Sequence, residues 1–367
     1  MAVGFPAKTD FATGDVLTAT NVNDITGTLN LLQSTLYPAG RNKIINGDFN
    51  INQRNFTSTT ADGYNFDQWI GVISDGTVTF SAQTFTPGTA PVAGYEGKNY
   101  LRCVTTGQTL TTARANIAQR IESVRTLAGQ TAIVSFWAKA NTGTPEIGMQ
   151  LQQNFGTGGS PSASVNTSSK VTISTSWARY SLTFSVPSIS GKTLGTNNND
   201  TLTLQTWFSG GSSFTALSGG IAIQNNTFEL WGVQLEAAST GSTASPFQTA
   251  SGSIAGELAL CQRYFQTFPS DGATSGAAVG QFYSTTAARL NRQLPVTMRA
   301  AGTATFPTVY ASAIEEVGVA YRTPTAYSVV YAGPDTLAFN ATGMTGAVAN
   351  AGAAYVLSNK ISVSAEL

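Results

Sequence analysis

The chain has 367 residues, with 19 Lys+Arg against 19 Asp+Glu and only 10% charged residues, where ordinary globular chains carry roughly 25%. That length fits two compact domains plus a short extension. No basic run exists to neutralise a phosphate backbone, so nucleic acid is not an expected partner, and no stretch approaches the ~18 apolar residues of a membrane-spanning helix. Histidine is absent, which removes the usual general base of a Ser or Cys hydrolase and the commonest zinc ligand. The two cysteines, Cys103 and Cys261, form no C-x-x-C pair; one disulfide and two buried free thiols both remain open. Zero net charge removes the self-repulsion that keeps monomers apart, which points to a chain that assembles with others.

In chain order, residues 1–16 show no periodicity, and the opening MAVGFPAKTDFATGD lacks the basic region and apolar run of a secretory signal. Val22, Ile25, Leu29, Leu32 and Leu36 then recur at spacings of 3, 4, 3, 4, an a/d heptad stripe. Thr20 or Asn21 suits the N-cap, and Pro38 with Gly40 ends the helix. Two heptads need a partner surface, which is either the same chain or further copies, most naturally in a three-stranded stem.

From residue 41 the texture is that of short strands bounded by Gly, Asn, Asp and Pro. Strands are predicted at 77–85, 99–106, 131–140, 178–187, 200–209 and 227–237. In the 177–186 stretch, Trp177, Arg179, Ser181, Thr183 and Ser185 should face one way and Tyr180, Leu182, Phe184 and Val186 the other. Such alternation predicts antiparallel sheets covered on one side, hence a sandwich or jelly roll. All five tryptophans fall in this block. Trp137 and Trp231 are the surest core residues, Trp207 less sure because a Gly/Ser-rich loop follows it. Ile254, Leu258, Cys261 and Phe265 recur at helical spacing within 251–266, with a start at Ser253 and Gly256-Glu257. The last hundred residues read as a second β segment. The resulting fold class is all-β: residues 1–40 an attachment and oligomerisation segment with a helix, 41–250 a jelly-roll sandwich, 251–267 a joining helix, and 268–367 a distal β-domain.

Candidate chemistry is sparse. Cleavage of a glycosidic bond needs two carboxylates about 5–9 Å apart. Asp62 and Asp67 sit in a turn-rich segment where Asp steadies backbone. Glu229 lies opposite Leu230 on a strand and is expected in solvent, with Glu236 further along it. Glu315 and Glu316 are neighbours that point apart in a strand. No catalytic pair stands out, and the expectation is a non-enzyme. Sugar binding needs aromatic platforms beside amides; Tyr95, Asn99 and Tyr100 in one loop, and Phe155 in another, are of the right type.

Four stretches resemble bacteriophage tail-fibre and appendage proteins: FATGDVLTATNVNDI, NKIINGDFNINQRNFTSTTADGYNFDQWIG, IAQRIESVRTLAGQTAIVSFWAKA with FELWGVQLEAASTGSTASPF, and GELALCQRYFQTF. LPVTMRAAGTATF is similar to the start of their terminal domain. The resemblance covers most of residues 1–310. It implies a carbohydrate-binding-module-like jelly roll, a helical joint, a terminal β-domain and oligomeric assembly, with other virion proteins and a host-surface glycan as partners. A particle built in a bacterial cytoplasm and working outside it also fits a chain with no export signal and an uncharged, hydroxyl- and amide-rich surface. The alternatives are a purely structural capsid-fibre or baseplate connector and, less favoured, a capsule depolymerase. The resemblance further implies a structural Ca²⁺ held near Asp48 of Asn46-Gly47-Asp48-Phe49. Against it, the place where such modules carry paired acids reads Leu230-Trp231-Gly232 here. No other cofactor is expected.

Overall fold

A computed structural model describes residues 39–92, 95–238, 241, 243–268, 276–307, 312–357 and 360–367. The heptad residues Val22, Ile25, Leu29, Leu32 and Leu36 lie outside the described residues. The protein is all-β: a jelly-roll sandwich and a smaller β-domain.

Two six-stranded antiparallel sheets form the sandwich. The first runs, in spatial order, β1 (Ser58–Thr59), β4 (Thr77–Thr84), β5 (Asn99–Thr106), β12 (Asn226–Ala238), β7 (Thr131–Ala140) and β10 (Ala178–Ser185). The second runs β2 (Gly63–Tyr64), β3 (Ile70–Ser74), β6 (Arg114–Glu122), β11 (Thr201–Gly210), β8 (Glu146–Asn154) and β9 (Val165–Thr172). Their inner faces meet in one core that includes Phe80, Cys103, Ile117, Phe136, Leu204, Phe208 and Phe228. Phe208 contacts Phe80 at 6.2 Å and Phe228 at 5.4 Å between ring centroids, so rings from both sheets interdigitate as close-packed interiors require. The alternation predicted for 177–186 holds: Phe184 and Val186 are core, Tyr180 and Leu182 pack against it, and Ser181 and Thr183 are exposed.

Asn46 organises the entry to the sandwich. It takes a left-handed φ of 55°, a conformation Asn tolerates better than most residues. Its amide donates to Ile51 O (2.8 Å) and Asp67 O (3.0 Å), and its Oδ1 accepts from Ile51 N (2.8 Å). Trp69 Nε1 donates to its carbonyl at 3.0 Å.

The joining helix, α1, is shorter than predicted, Ile254–Gln262. Ser253 caps it, its hydroxyl accepting from Gly256 N at 3.1 Å. The chain then turns straight into strand β13 (Phe265–Phe268), so Phe265 is a strand residue. Ile254 is 63% exposed and the buried helix positions are Glu257 and Cys261. The predicted apolar stripe therefore differs at both ends, because a polar residue, Glu257, takes the inward position. Both cysteines are buried free thiols.

Beyond α1, β13 pairs with β22 (Ile361–Ser364), which pairs with β16 (Thr303–Thr305). A seven-stranded antiparallel sheet follows the order β18 (Ala320–Arg322), β17 (Ser312–Glu316), β21 (Gly352–Leu357), β14 (Gly276–Ser284), β15 (Ala287–Gln293), β20 (Thr336–Thr342), β19 (Ala326–Ala332). Its separate core gathers Phe282, Leu290, Leu337, Phe339 and Val363.

Arg54 joins the two units. Its guanidinium lies 3.5 Å from the Phe265 ring centroid and 4.9 Å from that of Tyr64, and pairs with Glu366 (2.8 Å) and Asp67 (3.4 Å). Glu122 pairs with Arg263 (2.9 Å) and Arg299 (3.2 Å) beside it. Burial holds the Asp67 and Glu366 carboxyls above their usual range, and Arg54 opposes that rise. A carboxyl whose pKa is higher folded than unfolded favours the fold most at low pH, and that contribution is lost as pH rises through the folded pKa. Arg54→Ala leaves both acids unpaired in the seam. It should cost about 3 kcal/mol at pH 7 and clearly less at pH 4, read from denaturant unfolding at the two pH values. An equal loss at both would show that Arg54 acts through ring packing alone.

Candidate functional site

The outer faces of the two sheets differ sharply. On the first sheet, Ser81, Arg102, Glu229 and Lys139 stand side by side on β4, β5, β12 and β7. Glu229 is 5% exposed. Arg102 Nη2 and Nε reach its Oε1 at 2.5 and 3.0 Å, and Lys139 Nζ its Oε2 at 3.0 Å. This corrects the expectation of a solvated Glu229: two cations flank it across the strands and enclose it. Beside this row runs an aromatic cluster. Phe85, Tyr100 and Trp177 contact one another at 4.6–5.6 Å, and Phe85 leads on to Trp231. Tyr95 and Phe247 cover Trp231 at 5.5 and 5.0 Å. Gly232, at φ +64°, lets β12 bulge here; a Cβ would stand 2.7 Å from the Trp137 ring.

Tyr95 and Tyr100 therefore belong to one continuous aromatic layer on this face, Tyr100 half-buried at its open end and Tyr95 in its lid. Asn99 donates to Phe49 O at 3.3 Å. Phe155 is 1% exposed, which corrects its reading as a sugar platform: its ring is packed inside, beneath Lys192 at 6.0 Å, and presents no face to solvent.

Asp48 lies under the same lid. It is 3% exposed; its Oδ2 accepts from the Tyr95 hydroxyl at 2.7 Å and its Oδ1 has no hydrogen-bond partner. Burial and nearby Glu257 raise its pKa. Glu257 is already occupied, accepting from Asn46 N (2.8 Å) and Ser251 N (2.6 Å). The cavity between them is about 120 Å³. Calcium needs six to eight oxygens, and one free carboxylate oxygen on an acid held toward neutrality does not fit it. Among the described residues no cluster of three acidic, Cys or His side chains exists.

The second sheet carries an open cleft of about 270 Å³ on its outer face. Arg114, Ala118 and Arg120 of β6, Gln152 and Asn154 of β8, and Thr201, Thr203 and Gln205 of β11 line its floor. Ile70 and Val72 of the neighbouring β3, together with Gly156, Thr157, Asn199 and Leu367, complete the lining. Side chains one residue over, Ile117, Leu151, Leu202 and Leu204, go to the core, so strict alternation builds the cleft. Next to it, Asn116 Nδ2 and Arg114 Nη2 both donate to Gln205 Oε1 (2.8 and 3.1 Å), and Trp207 Nε1 donates to Gln150 Oε1 (3.0 Å). Trp207, the less sure of the core tryptophans, is fully buried: Phe214 of the following loop packs over it at 5.5 Å and Arg114 over its ring at 5.0 Å.

The carboxylates weighed as catalysts do structural work. Asp62 Oδ1 accepts from Ile73 N (2.6 Å) and Asp67 Oδ2 from Gln53 N (2.6 Å). Glu236 receives Ser245 N and Oγ, and Glu316 is gripped by Arg322 at 2.5 Å. None lines the cleft.

Residues 42–202 match the family model described as a carbohydrate binding domain. Among solved structures, the chain is similar to the enzymatically active domain of tailspike protein 4 from bacteriophage CBA120, at 15% identity over 54% of this chain and 22% of that one, with a TM-score of 0.30. It is also similar to the CBM22-2 xylan-binding domain from Paenibacillus barcinonensis Xyn10C (17% identity, 47% of this chain, 94% of that one, TM-score 0.29). A third similarity is to a family 11 carbohydrate-binding module from Clostridium thermocellum (13%, 50%, 97%, 0.29). No curated protein matches the chain. The residues of the cleft therefore carry the functional reading.

Adding calcium or a chelator should leave the thermal midpoint unchanged within about 1 °C, by calorimetry. A calcium-dependent rise of several degrees would show that Asp48 ionises and binds the metal.

Proposed function

We propose that the protein is a non-enzymatic appendage of a bacteriophage particle that holds a host-surface glycan in the cleft of the second sheet. The observation that carries this is the lining: amides, hydroxyls and guanidinium groups on a rigid sheet, the donors and acceptors that sugar hydroxyls need, with no carboxylate pair to cleave the bond. The carbohydrate-binding match over residues 42–202 supports it. In this reading the N-terminal segment attaches the chain to other virion proteins and gathers copies, three by the heptad pattern. The sandwich carries the sugar site and the distal domain projects beyond it. Single shallow clefts bind weakly, and repetition around a fibre raises avidity through effective concentration.

Two measurements test it. Gln152→Ala with Asn154→Ala should lower affinity for host-surface polysaccharide about tenfold, equivalent to ~1.4 kcal/mol, while Tyr100→Ala with Trp177→Ala leaves it intact. The reverse pattern would move the site to the aromatic face of the first sheet. Electron microscopy of particles labelled with antibody to residues 268–367 should place label at the free tip of a fibre. Label against the capsid or baseplate would favour a connector without a receptor.

A further inference from the structure

The cleft is unbalanced in charge. Two arginines of β6, Arg114 and Arg120, reach its floor, and its lining holds no Asp or Glu side chain. They lie six residues apart on the same side of the strand, ~20 Å along it. Arg114 is half-buried, and its hydrogen-bond partners are neutral: Gln205 Oε1 at 3.1 Å and Asn116 Oδ1 at 3.2 Å. Its guanidinium stacks over Trp207 and Phe214 at 5.0 and 5.6 Å. Burial draws its pKa down, and the charge of Asp62 partly restores it. Arg120 is exposed. Of the acids around that end, Glu366 is paired with Arg54 at 2.8 Å and feels Arg120 only as a weaker, longer-range pull, and Glu122, two residues along β6, is paired with Arg263 and Arg299.

Some arginines elsewhere are paired with acids, while Arg125, Arg289 and Arg292 share the lack of a carboxylate within 4.0 Å among the described residues. Arg41, Arg54, Arg102, Arg263, Arg299 and Arg322 each meet a carboxylate within 4.0 Å. Arg114 and Arg120 differ from the other unpaired arginines in lining one polar cleft together, Arg114 partly desolvated there. Removing a cation from water without a counter-charge is costly, and an incoming oxyanion recovers that cost. Guanidinium forks match the paired oxygens of carboxylate and phosphate alike.

We infer that the cleft is selective for glycans bearing anionic sugar residues, with Arg120 the residue that reads the charge and Arg114 holding the floor beneath it. This rests on the cleft being the glycan site. The shared chemistry is an oxyanion on a sugar, and the probes separate its two sources: an oligogalacturonide against its carboxyl-reduced form, and a phosphomannan against its dephosphorylated mannan. Calorimetric titration of the full chain should show one charged probe bound at least tenfold more tightly than its neutral counterpart. Arg120→Gln, at an exposed position, should remove that preference, and 0.5 M salt should weaken it, without change in the thermal midpoint. Equal binding of charged and neutral forms overturns the inference and leaves the glycan reading standing. No binding to any of the four probes, with host polysaccharide still bound through Gln152 and Asn154, overturns the charge selectivity alone. Loss of host-polysaccharide binding as a property of the wild-type chain removes the glycan reading first.

Discussion

The hydrogen bond from the backbone N–H of Asn46 to the buried Glu257 carboxylate, at 2.8 Å, fixes the relation between the start of the sandwich and all that follows it. Asn46 shapes the turn on which Asp67 and Trp69 rest. Glu257 also receives Ser251 N and Oγ, so its charge is met by local donors in place of water, as a buried carboxylate requires. With α1 held by its middle, β13 emerges against the edge of the sandwich. Phe265 then lies under Arg54, and the seam that sets the distal domain forms around that stack. The position of Leu367 in the lining of the cleft follows from the same chain of contacts.

The sandwich has two outer faces, and they have been put to different uses. The first sheet's is largely sealed by Tyr95, Phe247 and the ring cluster on Trp231, with Glu229 enclosed between two cations. Such a face contributes apolar burial and order. The second sheet's face carries a polar cleft over its central strands and is closed at one end, where Phe214 covers Trp207. A polar floor on a sheet buried on its other side is rigid without being dry, which suits recognition of hydroxyls through hydrogen bonds that compete with water.

The sequence disclosed these faces unequally. Five of the six strands read from alternation and β-branched or aromatic content, at 77–85, 99–106, 131–140, 178–187 and 227–237, belong to the first sheet; only 200–209 belongs to the second. The outer side of Arg114–Glu122 is mostly charged, and those of Glu146–Asn154 and Val165–Thr172 are rich in Asn, Gln, Ser and Thr, which weakens any apolar signal. Outer residues of the first two of these strands line the cleft with those of Thr201–Gly210. The candidates Tyr95, Tyr100 and Phe155 were chosen as aromatic side chains in loops, and nothing in one sequence distinguishes an aromatic lid from an aromatic platform. Asp48 was legible only as part of a motif; its neutralising environment depends on Tyr95 and Glu257, 47 and 209 residues away. Ile254 had the right spacing for a buried stripe, and the inward place went to Glu257, whose carboxylate accepts from the backbone N–H groups of Asn46 and Ser251.

Low charge content gives the few ionic groups unusual weight. Most of the acids described are committed: Glu229 and Glu316 to arginine, Glu366 and Asp67 to Arg54, Glu122 to Arg263 and Arg299, Glu257 and Asp62 to backbone amides. A chain of zero net charge in which the acids are spent on structure must leave some cations over. The global balance excludes the long basic surface that a nucleic acid would need, yet it permits a local excess of two arginines on one strand. That excess falls in a cleft rich in amides and hydroxyls. Net charge, a property of the whole chain, is therefore a poor guide to the ligand; the pairing of each carboxylate decides where uncompensated positive charge remains.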